Sequence, residues 1–216
     1  MEQYGLEDLQ CNNLMIYQSV DGYRFTSDSV ALANYVTVKK NGILVDLCSG
    51  SGVIGILANA KNIIKHVYMV ELQETLATMC QKSIEYNKLS NITVMNQKVQ
   101  NIHKEFTNIH VDTVVCNPPY YKTNAKGRDY NREVLVARNE VEITLEEIIA
   151  EAGKLLKDGG KFYLSHKSSR LVDIMWLLRQ YNLEPKELKI LSDSKNDQVV
   201  LVKAVKKGES GLKIIQ

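Results

Sequence analysis

The chain lacks the sequence features of several large protein classes. It has no apolar run long enough to span a membrane, and no charged-then-apolar segment that would predict a signal peptide opens it. Its four cysteines, Cys11, Cys48, Cys80 and Cys116, have no metal-ligand spacing, and its four histidines show no ligand pattern. We therefore expect a protein of the reducing cytoplasm, without a metal and without membrane contact.

The chain also has a small net charge and no sequence repeats. The formal net charge is only +2, so the chain is not a polycation and any basic surface must be local. No internal repeat, low-complexity segment or linker marks a second domain in the 216 residues. We expect one domain over 1–216 and favour a monomer. It would comprise an N-terminal pocket-closing segment at 1–40, a core at 41–205 and a basic tail at 206–216.

Proline is rare as well, and two of the three prolines stand together in Asn117-Pro118-Pro119-Tyr120. The apolar run before them, residues 111–116, is typical of a buried strand. Proline has no N–H for a strand ladder and biases the preceding residue toward extended geometry. The four residues are therefore expected to form a rigid corner at the carboxyl end of a strand. In open α/β sheets, ligands bind at that edge.

This corner suits methylation of a planar amine, whose lone pair is delocalised and therefore poorly nucleophilic. The side-chain oxygen of Asn117 and the carbonyl of Pro118 can each accept one N–H bond, aim the lone pair and stabilise the developing positive charge. Tyr120 can stack on the ring that carries the amine. The alternative at this point is an ordinary strand-ending turn, for which Asn-Pro and Pro-Pro are strong signals.

A glycine motif supplies a second candidate site. Gly50, Gly52 and Gly55 form G-x-G-x-x-G between an apolar strand at 43–47 and a helical stretch. Glu71 follows about twenty residues later at the end of another strand, where an acid accepts hydrogen bonds from ribose hydroxyls. These residues together predict a site for a cofactor that contains a ribose.

The pattern fits either a nicotinamide cofactor or S-adenosylmethionine. Asp46, directly before the glycine turn, favours the second. A carboxylate there would repel a pyrophosphate, but it would attract a cationic amino acid moiety with a sulfonium. An oxidoreductase would also leave the Asn-Pro-Pro-Tyr corner without a role.

Three segments together carry a family resemblance. Residues 45–52 read Val-Asp-Leu-Cys-Ser-Gly-Ser-Gly, residues 117–120 read Asn-Pro-Pro-Tyr, and residues 16–33 contain Asp-Gly-Tyr-Arg-Phe-Thr-Ser-Asp. With the first two segments the chain resembles the class I, Rossmann-like amino methyltransferases. The third is similar to the opening segment of the tRNA (adenine-N6)-methyltransferases. Enzymes of that group modify the adenosine immediately 3′ of the anticodon in a valine tRNA.

The resemblance implies an α/β, Rossmann-like class I methyltransferase fold. Its central, mostly parallel seven-stranded sheet would have an antiparallel C-terminal strand and helices on both faces. The implied cofactor is S-adenosyl-L-methionine, and the implied catalytic residues are Asn117, Pro118, Pro119 and Tyr120. The implied cofactor-binding residues are Thr26, Ser27, Asp28, Asp46, Cys48, Gly50, Gly52, Glu71, Leu72, Gln97, Lys98, Val99 and Asn117.

The chain departs from the family pattern at one point. After the strand at 92–96 the family supplies an acid that accepts the adenine amine of the cofactor, and here Lys98 stands at that place. Gln97 or a backbone carbonyl could substitute for the acid.

The segment after the corner, residues 121–140, combines basic and aromatic residues. Cations for phosphates and aromatic faces for bases are what single-stranded RNA requires. We expect a mobile, basic loop that binds the anticodon stem-loop of tRNA; the alternative is a solvated loop of mixed charge. The expected RNA-binding residues are Tyr121, Lys122, Lys126, Arg128, Arg132 and Arg138.

Apolar periodicity predicts the remaining elements. The chain before the first helix is expected to be irregular, and Trp176 is expected in the core. Asp158-Gly159-Gly160 is expected to end a helix, and residues 187–191 and 199–205 are expected to form a closing antiparallel pair. Helices are expected at 27–36, 53–60, 74–87, 145–156 and 171–180.

The residues and the resemblance together predict an S-adenosylmethionine-dependent enzyme that methylates N6 of an adenosine in the anticodon loop of valine tRNA. The runner-up is a protein glutamine N5-methyltransferase acting on peptide-release factors, which uses the same corner on an amide. Those enzymes usually carry a larger N-terminal helical domain, whereas only about forty residues precede the first strand here. A non-catalytic RNA-binding module and a nicotinamide oxidoreductase are the alternatives from other classes.

Overall fold

The structure is a computed structural model, and it describes residues 4–121, 132–191 and 198–215. Strands and helices alternate through most of these ranges, as the apolar periodicity predicts. The strands are β1 (Tyr4–Asp8), β2 (Met15–Ser19), β3 (Gly42–Leu47), β4 (Ile64–Glu71), β5 (Ile92–Asn96), β6 (Val111–Cys116), β7 (Leu156–Lys167), β8 (Leu183–Leu191), β9 (Val199–Lys206) and β10 (Lys213–Ile215).

The five predicted helices begin and end within one residue of the expected positions. In the helix Leu145–Leu155, the Thr144 side chain accepts from the backbone N–H of Glu147, while the Glu147 side chain accepts from the backbone N–H of Thr144. None of the helices in the described ranges is long and apolar enough to cross a membrane. The helices are α1 (Ser27–Tyr35), α2 (Val53–Lys61), α3 (Glu74–Tyr86), α4 (Arg132–Arg138), α5 (Leu145–Leu155) and α6 (Leu171–Gln180).

The main sheet has the strand order β10-β8-β9-β7-β6-β3-β4-β5. Strands β3 to β7 run parallel, whereas β9 pairs antiparallel with both β7 and β8. The chain goes from β3 outward to β4 and β5, then returns to place β6 on the other side of β3. The strand order therefore reverses between β3 and β6, and the crevice at such a switch point is where ligands bind in open α/β sheets.

Apolar side chains cover both faces of the parallel strands, as expected when helices lie on both sides. On β3, Leu44 packs into the cluster that contains residues of α1 and α2, whereas Val45 and Leu47 pack into the cluster that contains residues of α5 and α6. The sheet is thus held between two helical layers.

Two parts of the predicted architecture need correction. The sheet has eight strands rather than seven, because residues 213–215 of the expected basic tail add an edge strand parallel to β8. The N-terminal segment is not irregular: β1 and β2 form an antiparallel hairpin with Tyr4 opposite Ser19. The strands of both elements have five residues or fewer, too few to produce a clear periodicity in the sequence.

Two local predictions were also wrong. Trp176 is 64% exposed, because α6 buries Ile174, Leu177 and Leu178 on its other face. Asp158-Gly159-Gly160 does not separate α5 from a later strand: β7 already begins at Leu156. The pairing of β6 with β7 jumps across these residues, so they form an irregularity within the strand.

Candidate active site

The glycine motif forms the turn between β3 and α2. Gly50 has φ +57° and Gly52, the N-cap of α2, has φ +92°, a conformation that favours glycine. A Cβ on Gly52 would lie 2.5 Å from Sγ of Cys80 on α3. The motif therefore permits both a sharp turn and a close approach of α2 to its neighbours.

Asp46 lies beneath this turn and is fully buried. Its Oδ2 accepts the backbone N–H of Gly55 at 3.0 Å, while Oδ1 makes no hydrogen bond within the described parts of the chain. Burial raises the pKa of Asp46 to about 8; the Gly55 hydrogen bond opposes this and the Glu71 carboxylate adds to it. A buried acceptor that lacks a partner fits the cationic amino acid part of S-adenosylmethionine.

Glu71 ends β4 beside the glycine turn. Its two carboxylate oxygens accept the backbone N–H groups of Gly50 and Gln73, each at 2.8 Å. Burial raises the pKa of Glu71, and these backbone hydrogen bonds oppose that shift. The two bonds fix the carboxylate at the wall of a cavity, and each oxygen keeps a lone pair that can accept from a ribose hydroxyl.

An open cavity runs along the ends of the parallel strands, with about 590 Å³ of empty space that includes open solvent. We call it the first cavity. Of the expected cofactor-binding residues it contacts Cys48, Gly50, Glu71, Leu72, Lys98, Val99 and Asn117. Its full lining is Tyr23, Cys48, Gly50, Val70, Glu71, Leu72, Gln73, Leu76, Lys98, Val99, Gln100, Asn117, Pro119, Val136, Ala137, Glu142 and Ile143.

A second open cavity, of about 610 Å³, adjoins the first. Asn117, Tyr23 and Ala137 line both cavities, so the two meet at the end of β6. The second cavity also brings together basic and aromatic side chains. Its lining is Tyr23, Thr26, Asp28, Asn117, Pro118, Tyr120, Tyr121, Ala137, Arg138 and Lys167.

Some of the expected cofactor residues do not line the first cavity. Thr26 and Asp28 were expected near the cofactor, and they line the second cavity. Asp46, Gly52, Ser27 and Gln97 line neither cavity.

Three side chains fix the amide of Asn117. Its Nδ2 donates to Oγ of Ser29 at 2.7 Å, and its Oδ1 accepts from the hydroxyls of Tyr120 at 2.6 Å and Ser165 at 2.5 Å. Ser29 belongs to α1 and Ser165 to β7, so two distant elements determine the direction of one amide. The corner is therefore preorganised with its oxygen side toward Tyr120.

Tyr120 is held at the wall of the second cavity. Its ring lies 5.2 Å from the ring of His166, and Nζ of Lys167 lies 5.7 Å from its centroid. Burial raises the pKa of Tyr120 and lowers the pKa of His166 to about 4. Both groups are therefore neutral near pH 7, and the hydroxyl of Tyr120 remains a hydrogen-bond donor.

The expected RNA-binding segment is partly helical. Residues 132–138 form α4, and Val136 and Ala137 on this helix line the first cavity, so the prediction of a loop throughout 121–140 was wrong there. Tyr121 and Arg138 line the second cavity. Lys122, Lys126 and Arg128 lie outside the described residues, as does the side chain of Arg132.

Several residues of the site were missed in the sequence. Tyr23 lines both cavities, and its backbone N–H donates to Oε1 of Glu133 on α4 at 2.8 Å. Its place within the Asp-Gly-Tyr-Arg-Phe-Thr-Ser-Asp segment was the available signal. Ser165, Lys167 and Glu142 have no local signal, because only the pairing of β6 with β7 and the position of α5 bring them to the site. Among the described residues, no three acidic, histidine or cysteine side chains are grouped as a metal site would require.

The switch-point crevice, the glycine turn before α2 and the corner after β6 together define a class I methyltransferase. The family model described as the methyltransferase small domain matches residues 24–175. The chain belongs to this family, and it is a methyltransferase.

Two bacterial proteins align with much of this chain. A tRNA1(Val) (adenine(37)-N6)-methyltransferase of Shewanella sediminis is 26% identical over 197 residues, which are 89% of this chain and 75% of that protein. A protein of the same name from Bacteroides fragilis is 26% identical over 137 residues, which are 63% of this chain and 56% of that protein.

Solved structures share the fold at low sequence identity. The M. jannaschii tRNA m1G37 methyltransferase superposes with a TM-score of 0.68 at 14% identity, covering 96% of this chain and 58% of that one. A predicted O-methyltransferase from Agrobacterium tumefaciens gives 0.66 at 19% identity, covering 87% and 84%. These likenesses show the Rossmann-like methyltransferase architecture.

Proposed function

We propose that this methyltransferase transfers a methyl group to N6 of an adenosine in the anticodon loop of a tRNA, with valine tRNA as the substrate. S-adenosyl-L-methionine is the methyl donor. The observation that carries the proposal is that two cavities share Asn117: one has the features of a cofactor site, and the other is lined by aromatic and basic side chains. The names of the relatives support the tRNA adenosine as substrate.

The first cavity suits the cofactor along its length. Asp46 would give up its proton as the cationic amino acid part binds and would then accept a hydrogen bond from it, and Glu71 would accept from the ribose hydroxyls. Leu72 and Val99 supply apolar contacts for the adenine ring. When bound, S-adenosylmethionine supplies an electrophilic methyl group on a sulfonium.

The second cavity suits an unpaired nucleotide. Tyr120 offers an aromatic wall, and Arg138 and Lys167 offer cations for phosphates. An adenosine in a loop is already unpaired, so its entry costs less than flipping a base out of a duplex. Lys122, Lys126, Arg128 and Arg132, together with Tyr121, complete the proposed RNA-binding set. A tRNA substrate is consistent with action in the cytoplasm.

At the junction, Asn117 and Pro118 hold the target amine. The side-chain oxygen of Asn117 and the carbonyl of Pro118 each accept one of its N–H groups, which directs the nitrogen lone pair toward the first cavity. Positive charge develops on the nitrogen as the bond forms, and both acceptors stabilise it. The product amine loses its proton to water, so the chain needs no general base. Most of the rate enhancement then comes from positioning.

The test uses purified protein, S-adenosylmethionine and an unmodified valine tRNA transcript, followed by digestion and nucleoside mass spectrometry. The expected product is N6-methyladenosine, absent with the Asn117→Ala variant. A transcript with guanosine in place of the adenosine 3′ of the anticodon is the matched control and is expected to give no product. Methylated glutamine in a supplied release factor, without any methylated nucleoside, would instead establish the protein methylator.

A further inference from the structure

The first cavity has a lysine where the family pattern has an acid. Lys98 follows β5 and lines the cavity. An ammonium group has three donors and no acceptor, so it cannot accept an N–H from an adenine amine. Gln97, the nearest polar alternative in the sequence, is not part of the cavity lining. The cavity therefore lacks its usual acceptor at this strand.

A carboxylate reaches the same part of the cavity from another element. Glu142 lies between α4 and α5 and lines the first cavity together with Lys98. Oε2 of Glu142 is 3.7 Å from Nζ of Lys98, and the glutamate side chain is 30% exposed against 62% for the lysine. The pairing directs the carboxylate toward the lysine end of the cavity.

The backbone of Glu142 is fixed in place. Nε2 of Gln100 donates to the carbonyl oxygen of Glu142 at 2.8 Å and lies 3.3 Å from Oε1 of Glu147 in the first turn of α5. The next residue, Ile143, is buried in the core and also lines the cavity. Glu142 is therefore anchored on both sides rather than carried by an unsupported turn.

The order of the strands identifies which part of the cofactor this carboxylate meets. Along the sheet, Asn117 follows β6, Cys48 follows β3, Glu71 ends β4 and Lys98 follows β5. The amino acid part belongs near the β3 turn and the ribose at Glu71. The adenine therefore belongs beyond Glu71, at the β5 end, where Lys98 and Glu142 lie.

We propose that Glu142 is the specificity-determining carboxylate that accepts the N–H of the cofactor's adenine amine, and that Lys98 positions it. This inference rests on the proposed function, because it takes S-adenosylmethionine as the cofactor. A carboxylate accepts hydrogen bonds but cannot donate them, so Glu142 favours a ring that carries an amine over one that carries a carbonyl. The acid of the family pattern is thus replaced by one from a different part of the chain.

The test compares two ligands by isothermal titration calorimetry: S-adenosylhomocysteine and S-inosylhomocysteine, in which a carbonyl replaces the adenine amine. The wild-type protein is expected to bind the adenosine compound at least about tenfold more tightly, since a carboxylate accepts a hydrogen bond from an amine but has no proton to donate to a carbonyl. Glu142→Gln is expected to reduce this preference to within about threefold, because an amide can turn to donate or accept. Glu105→Gln, an exposed carboxylate on the 3-10 helix after β5, is the matched control and should keep the wild-type ratio.

The outcomes separate this inference from the proposed function. Tight binding of S-adenosylhomocysteine with an unchanged preference in Glu142→Gln would overturn the role of Glu142 and leave the cofactor intact. A wild-type protein without any preference would overturn it as well. Binding of neither ligand would overturn both the cofactor and the role of Glu142. A thermal melt of Glu142→Gln close to that of the wild type shows that a lost preference does not reflect unfolding.

Discussion

The hydroxyl of Tyr120 donates a 2.6 Å hydrogen bond to Oδ1 of Asn117. Ser165 donates to the same oxygen at 2.5 Å, so both lone pairs of the amide oxygen are engaged. The proposed target amine needs one of them. Binding of the substrate must therefore displace one hydroxyl, and Tyr120 is the better candidate because it also lines the cavity through which the nucleotide would enter.

The two functions of Tyr120 can be separated by substitution. Tyr120→Phe keeps the aromatic wall and removes the competing donor, so we expect kcat to stay within about threefold of wild type. Tyr120→Ala removes the wall and should raise the KM for tRNA about tenfold or more, since stacking contributes about 1–3 kcal/mol per base. Steady-state kinetics on the valine tRNA transcript measures both. If kcat falls equally in Tyr120→Phe and Tyr120→Ala, the hydroxyl itself is required for methyl transfer.

The proposed role of Asn117 predicts a separation of chemistry from binding. Asn117→Ala removes an acceptor that acts on the developing charge, so kcat should fall by about 10²–10³ or more. The Kd for S-adenosylmethionine, measured by calorimetry, should change by less than about threefold, because Asp46 and Glu71 remain. Equal losses in kcat and in cofactor affinity would contradict the role of Asn117 as the amine acceptor.

Basic residues at the second cavity should contribute to the salt dependence of tRNA binding. Arg138→Ala and Lys167→Ala are each expected to weaken binding and to reduce the slope of log K against log salt by about 0.7, the value for one phosphate contact on a single strand. Lys104→Ala serves as the control, because Lys104 is exposed and lines neither cavity. Filter binding between low and moderate salt measures the slopes. Unchanged slopes for both variants would remove these residues from the RNA interface.

The buried Asp46 predicts a pH dependence of stability. Burial raises its pKa to about 8, whereas the unfolded chain titrates near the ordinary value of about 3.9. Between these values the folded protein holds the additional proton, so the stabilisation from this group is complete below about pH 4 and is lost as the pH rises toward about 8. Calorimetric melts without cofactor should show a steeper decline from pH 6 to 8.5 in wild type than in Asp46→Asn. Parallel declines would contradict the raised pKa.

Two glycines with positive φ form a matched pair for stability. Gly52 and Gly159 have φ +92° and +76°, so alanine at either position carries a similar left-handed cost of about 1 kcal/mol. A Cβ at Gly52 would also approach Sγ of Cys80 to 2.5 Å, while nothing lies within 4 Å of one at Gly159. Gly52→Ala should therefore lower the free energy of unfolding by about 1–3 kcal/mol more than Gly159→Ala. Urea denaturation of both variants tests this. Equal losses in the free energy of unfolding would show that α3 can move away from the added methyl group without destabilising the protein.

Much of the fold followed from local sequence. Apolar runs ending in Leu47, Glu71 and Cys116 predicted the parallel strands, and the glycine motif and the Asn-Pro-Pro-Tyr corner predicted where two of these strands turn. Each of these signals depends on what a short stretch of backbone can or cannot adopt. The exposed face of α6 was misjudged at Trp176, because a single aromatic residue does not show which side of a helix meets the sheet.

The residues that surround the reacting centre were decided by tertiary structure alone. Ser29 and Ser165 fix the amide of Asn117 from 88 and 48 residues away, and Glu142 enters the first cavity opposite Lys98. Parallel pairing brings the carboxyl ends of strands that are distant in sequence to one edge of the sheet. Local sequence patterns do not show which side chains come into contact at that edge. The sequence by itself thus determined the corner and the cofactor turn, because they are local backbone features. Their partners depend on contacts that exist only once the sheet has formed.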